Sequence, residues 1–275
     1  MNLIINQILN YLHEKRGFDF SGNRMSMLER RISKRLLSTE VSTYQEYFSL
    51  LHSNPDELDE LLEVLTINVS NFFRDPLTWE ILQKNILPIL LEEKKRKKDN
   101  AIRIWSAGCA SGEEPYSLAI LLSELLEKED LKLITHIFAT DIDQYSIQNA
   151  KKALFSAEDV GNVKFGLLNK YFLQNNEQYA LKAAIKDMVK FSNYDLLDKK
   201  STSPPLSIYG NFDIIFCRNV LIYFNAEFQD RIFGKLYNSL NTNGYLILGE
   251  AEIPNNKYKF KLRRIDKCCK IYQKR

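Results

Sequence analysis

Ile102-Arg-Ile-Trp-Ser-Ala-Gly-Cys-Ala-Ser-Gly-Glu-Glu-Pro-Tyr-Ser117 decides how the rest of the chain is read. Ile102 to Ser106 is a short apolar strand, and Glu114 opens a helix to about Leu126 with Leu118, Leu122 and Leu125 facing inward. In the loop that joins them, Gly108 and Gly112 let the backbone turn tightly and approach a ligand without a Cβ in the way. Open α/β sheets bind ligands beyond the carboxyl ends of their strands, which is where this loop stands. It is not GxGxxG and carries no Walker lysine, so dinucleotide and triphosphate ligands are disfavoured.

The same alternation continues outward from this stretch. His136 to Asp141 reads as the next strand, Tyr145 to Leu154 as a helix, and Met188 to Asn193, Phe212 to Cys217 and Gly244 to Gly249 as later strands. Ala226 to Leu240 is a helix between the last two, and Phe260 to Ile265 with Cys269 to Gln273 form a candidate antiparallel edge. Strands alternating with helices predict a parallel α/β sheet covered on both faces. Phe165 to Lys190 breaks the rhythm and predicts a small inserted subdomain, with a hairpin turning at Gln174-Asn-Asn-Glu177. Upstream the period is helical. Ile5, Ile8, Leu9 and Leu12 share one face, and Leu28, Ile32 and Leu36 repeat the pattern after a Gly17–Gly22 break. Tyr44 to Leu51 and Leu58 to Leu65 add two more helices around the Asn54-Pro55 turn, so a helical domain ends near Val69. The run Lys94 to Lys98 reads as a solvated helix end.

Composition narrows the class. The 275 residues are 45% hydrophobic and 27% charged, ordinary values for a folded domain. A net charge of +3 falls short of the excess expected for a nucleic-acid surface. The four cysteines include no CxxC pair, which argues against a zinc site or a disulfide framework and fits a reducing compartment. The first residues read as an amphipathic helix and not a signal peptide, and no stretch reaches the roughly 18 apolar residues needed to span a bilayer. A cytoplasmic protein without membrane insertion, metal or nucleic-acid partner is expected, with a monomer as the working expectation for its assembly.

Two acidic positions give the loop a ligand. Glu113 and Glu114 sit at a helix start, where the macrodipole favours anions. Asp141-Ile-Asp143 ends the second strand, the usual place for an acid that binds ribose hydroxyls. One acid facing an ammonium and another facing a ribose suit a nucleoside with an amino-acid tail, and S-adenosylmethionine has that structure. The segments Asn68 to Asp75 and Phe216 to Phe224 are also odd for plain scaffold; the second places Arg218 and Asn219 at the ligand-binding edge.

With these residues in view the chain resembles the CheR-type chemotaxis methyltransferases. Five segments carry the resemblance: Asn68-Val-Ser-Asn-Phe-Phe-Arg74, Trp105 to Ser117, Ala139-Thr-Asp-Ile-Asp143, Phe212 to Phe224 and Gly244-Tyr-Leu-Ile-Leu-Gly-Glu250. The resemblance implies a Rossmann-like class I methyltransferase sheet over residues 70–275, a small N-terminal all-helical domain over 1–69 for receptor recognition, and a small inserted β-subdomain at about 165–190. It implies S-adenosylmethionine as cofactor and S-adenosylhomocysteine as product. It implies Asn68, Ser70 and Arg74 along the cofactor, Ala107 and Gly108 in its loop, Glu114 on its amino group and Asp141 on its ribose. Asp195 and Leu196 would border the adenine, and Arg218 and Asn219 would close the site. Arg74 and Tyr223 are the implied catalytic residues, nearest the methyl group. Ser70 stands where the family often has Thr, and Glu250 where a His is common.

The implied reaction is methylation of receptor glutamates, with the cytoplasmic helices of chemoreceptors as partners. A glutamate near pKa 4.3 is already an anionic nucleophile at neutral pH, which suits a chain whose His13, His52 and His136 are scattered. Arg74 could hold the carboxylate and Tyr223 could aim it. Arg30, Arg31, Lys34 and Arg35 are expected on a basic helix face opposite Leu28, Ile32 and Leu36, docking an acidic receptor helix. The short turn at Asn175-Asn176 suggests an enzyme that needs no receptor-tail tether. The alternatives are a non-catalytic S-adenosylmethionine-binding module and a methyltransferase acting on another substrate, such as nucleic-acid amines. A segment of the Asn/Asp-Pro-Pro-Tyr kind would favour amines, and Asn219 to Tyr223 lacks the prolines.

Overall fold

The computed structural model describes residues 2–16, 20–66, 70–207 and 209–275, and these fall into two compact units. The helical unit takes the chain through its first four helices and adds residues 222–228 from much later in the sequence. The expected domain boundary at residue 69, like the break beginning at Gly17, lies outside the described residues.

Helices α1 (Asn2–Arg16), α2 (Met25–Ser38), α3 (Tyr44–Ser53) and α4 (Pro55–Thr66) follow the apolar periods of the sequence. Ile5, Ile8, Leu12, Leu28, Ile32, Tyr47, Leu51 and Leu61 make their buried core. Thr43 and Glu46 form a reciprocal capping box that starts α3, and Pro55 starts α4, where its missing N–H costs nothing. One polar cluster is sealed inside: the Glu57 carboxylate accepts two bonds from Arg35, both 2.7 Å, and one from the Tyr47 hydroxyl at 2.7 Å. Burial beside this carboxylate pushes the Tyr47 pKa upward.

The second unit begins with α5 (Pro76–Ile81), a π-helical turn (Leu82–Ile86) and α6 (Leu87–Lys97). The π turn directly precedes Pro88, whose ring cannot continue the ordinary hydrogen-bond ladder. At the end of α6 the charge run is divided. Lys95 to Lys98 are exposed as expected, but Lys94 is buried, 2.6 Å from Asp99 and 2.8 Å from Asp213. There follow β1 (Ala101–Ala107), α7 (Glu113–Lys128), β2 (Ile134–Asp141), α8 (Gln144–Lys152), β3 (Leu154–Ser156), α9 (Phe165–Tyr171), β4 (Phe172–Asn175), β5 (Gln178–Leu181), α10 (Ala183–Lys186) and β6 (Val189–Asn193). The chain ends with β7 (Phe212–Cys217), a 3₁₀ turn (Leu221–Tyr223), α11 (Ala226–Ser239), β8 (Leu240–Leu248), α12 (Asn256–Lys259), β9 (Leu262–Arg264) and β10 (Ile271–Lys274).

The main sheet runs β6-β2-β1-β7-β8-β10-β9. Its first five strands are parallel, and β10 and β9 close one side antiparallel, as the sequence predicts. All six residues of β7 are buried; five are apolar, and the sixth, Asp213, is paired with the buried Lys94. Sequence order reverses at β1, whose neighbours are β2 and β7, so the loop after β1 sits at the topological switch point. The inserted subdomain is a three-stranded antiparallel sheet, β3-β5-β4, and its extent corrects the expected 165–190. It begins at Leu154, read from the sequence as a helix end, because Ala153 takes a left-handed conformation and stops α8. The main sheet has already resumed at Val189.

Glu57 generates a stability prediction. Glu57→Ala strands the buried Tyr47 hydroxyl and leaves Arg35 only Glu60, and should cost about 2–4 kcal/mol in denaturant unfolding. A loss below about 1 kcal/mol would mean that the cluster behaves like an exposed surface pair.

Candidate active site

Four parallel strands deliver their carboxyl ends to one region of the second unit, and most residues singled out in the sequence arrive with them. Ala107 ends β1 and is buried. Gly108 follows at φ +75°, and a Cβ there would lie 2.3 Å from Val220 Cγ2, so both the turn and the space require glycine. The amides of Gly108 and Cys109 donate to the Thr140 carbonyl at 2.8 and 3.0 Å, tying the loop to the end of β2. Gly112, at φ +97°, then starts α7.

The two glutamates of the helix start differ. Glu114 is buried and accepts a 2.8 Å bond from the Ser106 hydroxyl. Its other oxygen lies 3.3 Å from Arg218 Nη1. Burial raises its pKa, while the Arg218 charge and the Ser106 hydroxyl pull it back. Glu113 is buried with no ion pair among the described residues, and among them its Oε2 finds no partner. Burial lifts its carboxyl to about 8, with the Asp159 charge adding to the rise and the Ser70 hydroxyl opposing it. Ser70 thereby joins the cluster through Glu113.

Arg218 organises what surrounds Glu114. Its Nη2 lies 2.5 Å from Asp75 Oδ2 and donates to the Arg74 carbonyl at 3.1 Å. One guanidinium therefore serves two carboxylates, and the Glu114–Arg218–Asp75 cluster carries one net negative charge when all three are ionised. The segment bearing Arg74 is held from several sides. Phe73 and Asp75 adopt positive φ, the Phe73 amide donates to Ser117 Oγ at 3.0 Å, and Trp79 Nε1 donates to the Arg74 carbonyl at 2.7 Å. Phe72 packs edge-on against Phe155 and Phe172 of the small sheet. The Arg74 side chain is exposed.

Asp141 and Asp143, indistinguishable by spacing, are separated by geometry. Asp143 caps α8, taking the amides of Tyr145 and Ser146 and the Ser146 hydroxyl. Asp141 accepts the Ala110 amide at 2.9 Å on one oxygen and the Asp143 amide at 3.0 Å on the other, so each oxygen retains acceptor capacity. Burial raises its pKa against those two bonds. The amide of Tyr194 donates to the Asp141 carbonyl at 2.8 Å, which brings the following Asp195-Leu196 turn to the same edge. Leu196 is buried, and Asp195 folds its carboxylate back onto the Leu197 amide at 2.8 Å.

Sequence reasoning missed Glu252; the nearby Glu250, to which it gives no role, is exposed. The buried Glu252 carboxylate accepts the amides of Gly249 and Leu221 at 2.7 Å, Val220 at 2.9 Å and Asn219 at 3.0 Å. It fixes the turn after β7, where Asn219 adopts φ 59°, and so holds Arg218 and Asn219 in place. Asp75 was also missed as the second partner of Arg218. A buried arginine in a strand-end turn is the signal that carboxylates must be nearby.

Two expected site residues are not part of this cluster as described. Tyr223 belongs to the helical unit by its contacts, half-buried, with Arg31 Cζ 5.0 Å from its ring centre. Asn68 lies outside the described residues. The expected basic face of α2 is corrected: Arg30 and Lys34 are exposed, but Arg31 is buried and Arg35 is bound to Glu57 and Glu60. Helical spacing puts Arg31 and Arg35 one turn apart on a stripe beside the apolar face, and there they are consumed by the core.

The donor set fits S-adenosylmethionine. A buried cluster with one surplus negative charge suits an ammonium, and a strand-end carboxylate with spare acceptor capacity suits ribose hydroxyls. The comparisons agree with this chemistry. Residues 68–269 match the family described as CheR methyltransferase, SAM binding domain, and residues 4–66 match CheR methyltransferase, all-alpha domain. A chemotaxis protein methyltransferase of Borreliella burgdorferi is 32% identical over 90% of this chain and 87% of its own. Chemotaxis protein methyltransferase 2 of Vibrio cholerae is 33% identical over 88% and 83%. A chemotaxis protein methyltransferase of Listeria innocua is 31% identical over 86% and 84%.

Glu113 makes the site's pH response testable. Its carboxyl, at about 8 in the fold against an ordinary 4.5, binds its proton more tightly folded than unfolded. The stability it contributes is full below about pH 4 and declines as pH rises toward 8. Glu113→Gln keeps the neutral shape, so it should raise the thermal midpoint at pH 7.5 and leave it nearly unchanged at pH 4. An equal change at both pH values would contradict this.

Proposed function

As a member of the CheR methyltransferase family this chain is an S-adenosylmethionine-dependent methyltransferase, and we propose that its acceptors are glutamate carboxylates on the cytoplasmic helices of chemoreceptors. The observation that carries the reading is the Glu114–Arg218–Asp75 cluster beside Asp141 at the switch point of the sheet. When bound, S-adenosylmethionine supplies a methyl group already activated by its sulfonium. The protein's own task is then orientation, which by itself contributes several kcal/mol to such reactions.

Each residue has a physical part in this scheme. Glu114 takes the cofactor's ammonium, and Arg218 aims Glu114 and opposes the rise in its pKa from burial. Asp141 takes the ribose hydroxyls, with Ala107 and Gly108 letting the backbone approach. Asp195 and Leu196 border the adenine, while Asn219 and Ser70 complete the enclosure. Arg74, on an exposed side chain beside a rigid backbone, holds the acceptor carboxylate through its planar donor fork. Tyr223 aims that carboxylate by donating its hydroxyl hydrogen. The acceptor is ionised at neutral pH, so no general base is needed. Arg30 and Lys34, the exposed basic pair of α2, steer the acidic receptor helix. A cytoplasmic location is part of this proposal; among the described residues no helix is long and apolar enough to cross a membrane.

Incubation with radiolabelled S-adenosylmethionine and receptor fragments tests the reading. The label should be released by mild alkali, as a carboxyl methyl ester requires. Arg74→Ala should fold normally and lose on the order of 100-fold or more in transfer rate. Alkali-stable label would point to amine methylation, and near-normal transfer by Arg74→Ala would remove that residue from the reaction.

A further inference from the structure

Tyr223 is held by the helical unit in two ways. Its carbonyl accepts the Arg24 amide at 2.9 Å, and the flanking backbone is pinned by the Asn225 amide on the Gly22 carbonyl at 2.8 Å and by a bridge pairing Asn23 with Phe224. Its ring lies under the Arg31 guanidinium, 5.0 Å from centroid to Cζ, within the range of a cation–π contact. Arg31 is itself locked: it is 6% exposed, and its Nη1 donates to the Leu65 carbonyl near the C-terminus of α4. That carbonyl is one of the four that a helix end leaves without an internal partner, and a cation is favoured there.

We propose that Arg31 is a positioning residue for Tyr223, fixing the ring and the direction of its hydroxyl, and that it is not part of a receptor-docking surface. The assignment rests on the reading that Tyr223 hydrogen-bonds the acceptor carboxylate. A guanidinium has donors and no acceptors. Where it bonds the phenol, the phenol oxygen must accept, and the phenol hydrogen is left to be donated elsewhere. Burial lowers the Arg31 pKa, and the contact over the ring sets the Arg31 charge close to the Tyr223 phenol, which opposes that larger lowering in part. A nearby cation also strengthens a hydroxyl as a donor. Arg31 thus joins the folding of the helical unit to the aim of one hydroxyl: the side chain that caps α4 also covers the ring.

Because Arg31 also caps α4, a simple loss of activity would not separate positioning from folding. The experiment is a double-mutant cycle in the full chain: Arg31→Gln, Tyr223→Phe and the double variant, assayed for kcat and receptor KM well below each variant's thermal midpoint. Arg31→Gln should lower kcat on the order of tenfold, with receptor KM and S-adenosylhomocysteine affinity within about twofold. In the Tyr223→Phe background the same substitution should lower kcat by less than about twofold. Arg31→Lys keeps a cation at the end of α4 but loses the planar contact; it should show a smaller loss of the same kind, and it completes the cycle if Arg31→Gln does not fold. Equal losses in both backgrounds, or a rise in receptor KM with kcat intact, would overturn the assignment. Full activity of Tyr223→Phe alone would instead remove Tyr223 from the reaction, and the assignment with it, without any Arg31 variant being needed.

Discussion

A single buried guanidinium shared by two carboxylates holds the candidate site together. Arg218 reaches Glu114 on α7, Asp75 before α5 and the carbonyl of Arg74. Removing a charge from water is costly unless it is paired, so these elements have little freedom to separate. The same arithmetic gives the site its chemistry, because two acids on one base leave a negative charge in a place where water cannot easily neutralise it. Burial raises the Glu114 pKa against the pull of Arg218 and Ser106, so a negative charge at the strand ends is under-compensated, and an ammonium is the group that best relieves it.

That guanidinium needs its own support. Glu252 collects four amides from the turn after β7 and the end of β8, so the backbone carrying Arg218 and Asn219 is fixed by a carboxylate far away in sequence. Gly249 is part of this clamp: a Cβ there would lie 2.7 Å from the Asn219 nitrogen. The segment of Arg74 is similarly pinned by Ser117, Trp79 and the Phe72 ring. Arg74 therefore presents a long side chain from a backbone tied at several points, which suits the carboxylate-holding role proposed for it.

The sheet was legible because its signals are local. Apolar runs at β1, β2, β6 and β7, the Gly108–Gly112 turn and the acids at two strand ends each declare themselves within a few residues. The helices over 76–97 went unread; Pro76 starts one of them, and Pro88 follows a π turn that absorbs it. The site was legible where a residue's place follows from its own strand end, as for Glu114 and Asp141. It was not where a partner comes from a distant segment: Glu252, Asp75 and the buried role of Lys94 needed the tertiary structure. Arg31 and Arg35 failed for a related reason. A helical wheel marks them as charged and outward, but Glu57, Leu65 and Tyr223 were invisible to it as partners.

The central claim is that Glu114, paired with Arg218, binds the amino group of an S-adenosyl amino acid. Titration calorimetry with S-adenosylhomocysteine and with its analogue lacking the α-amino group tests it directly. The amine-bearing ligand should bind at least about tenfold more tightly, and Glu114→Gln should erase the difference. Equal affinity of the two ligands for the unaltered protein would contradict the account.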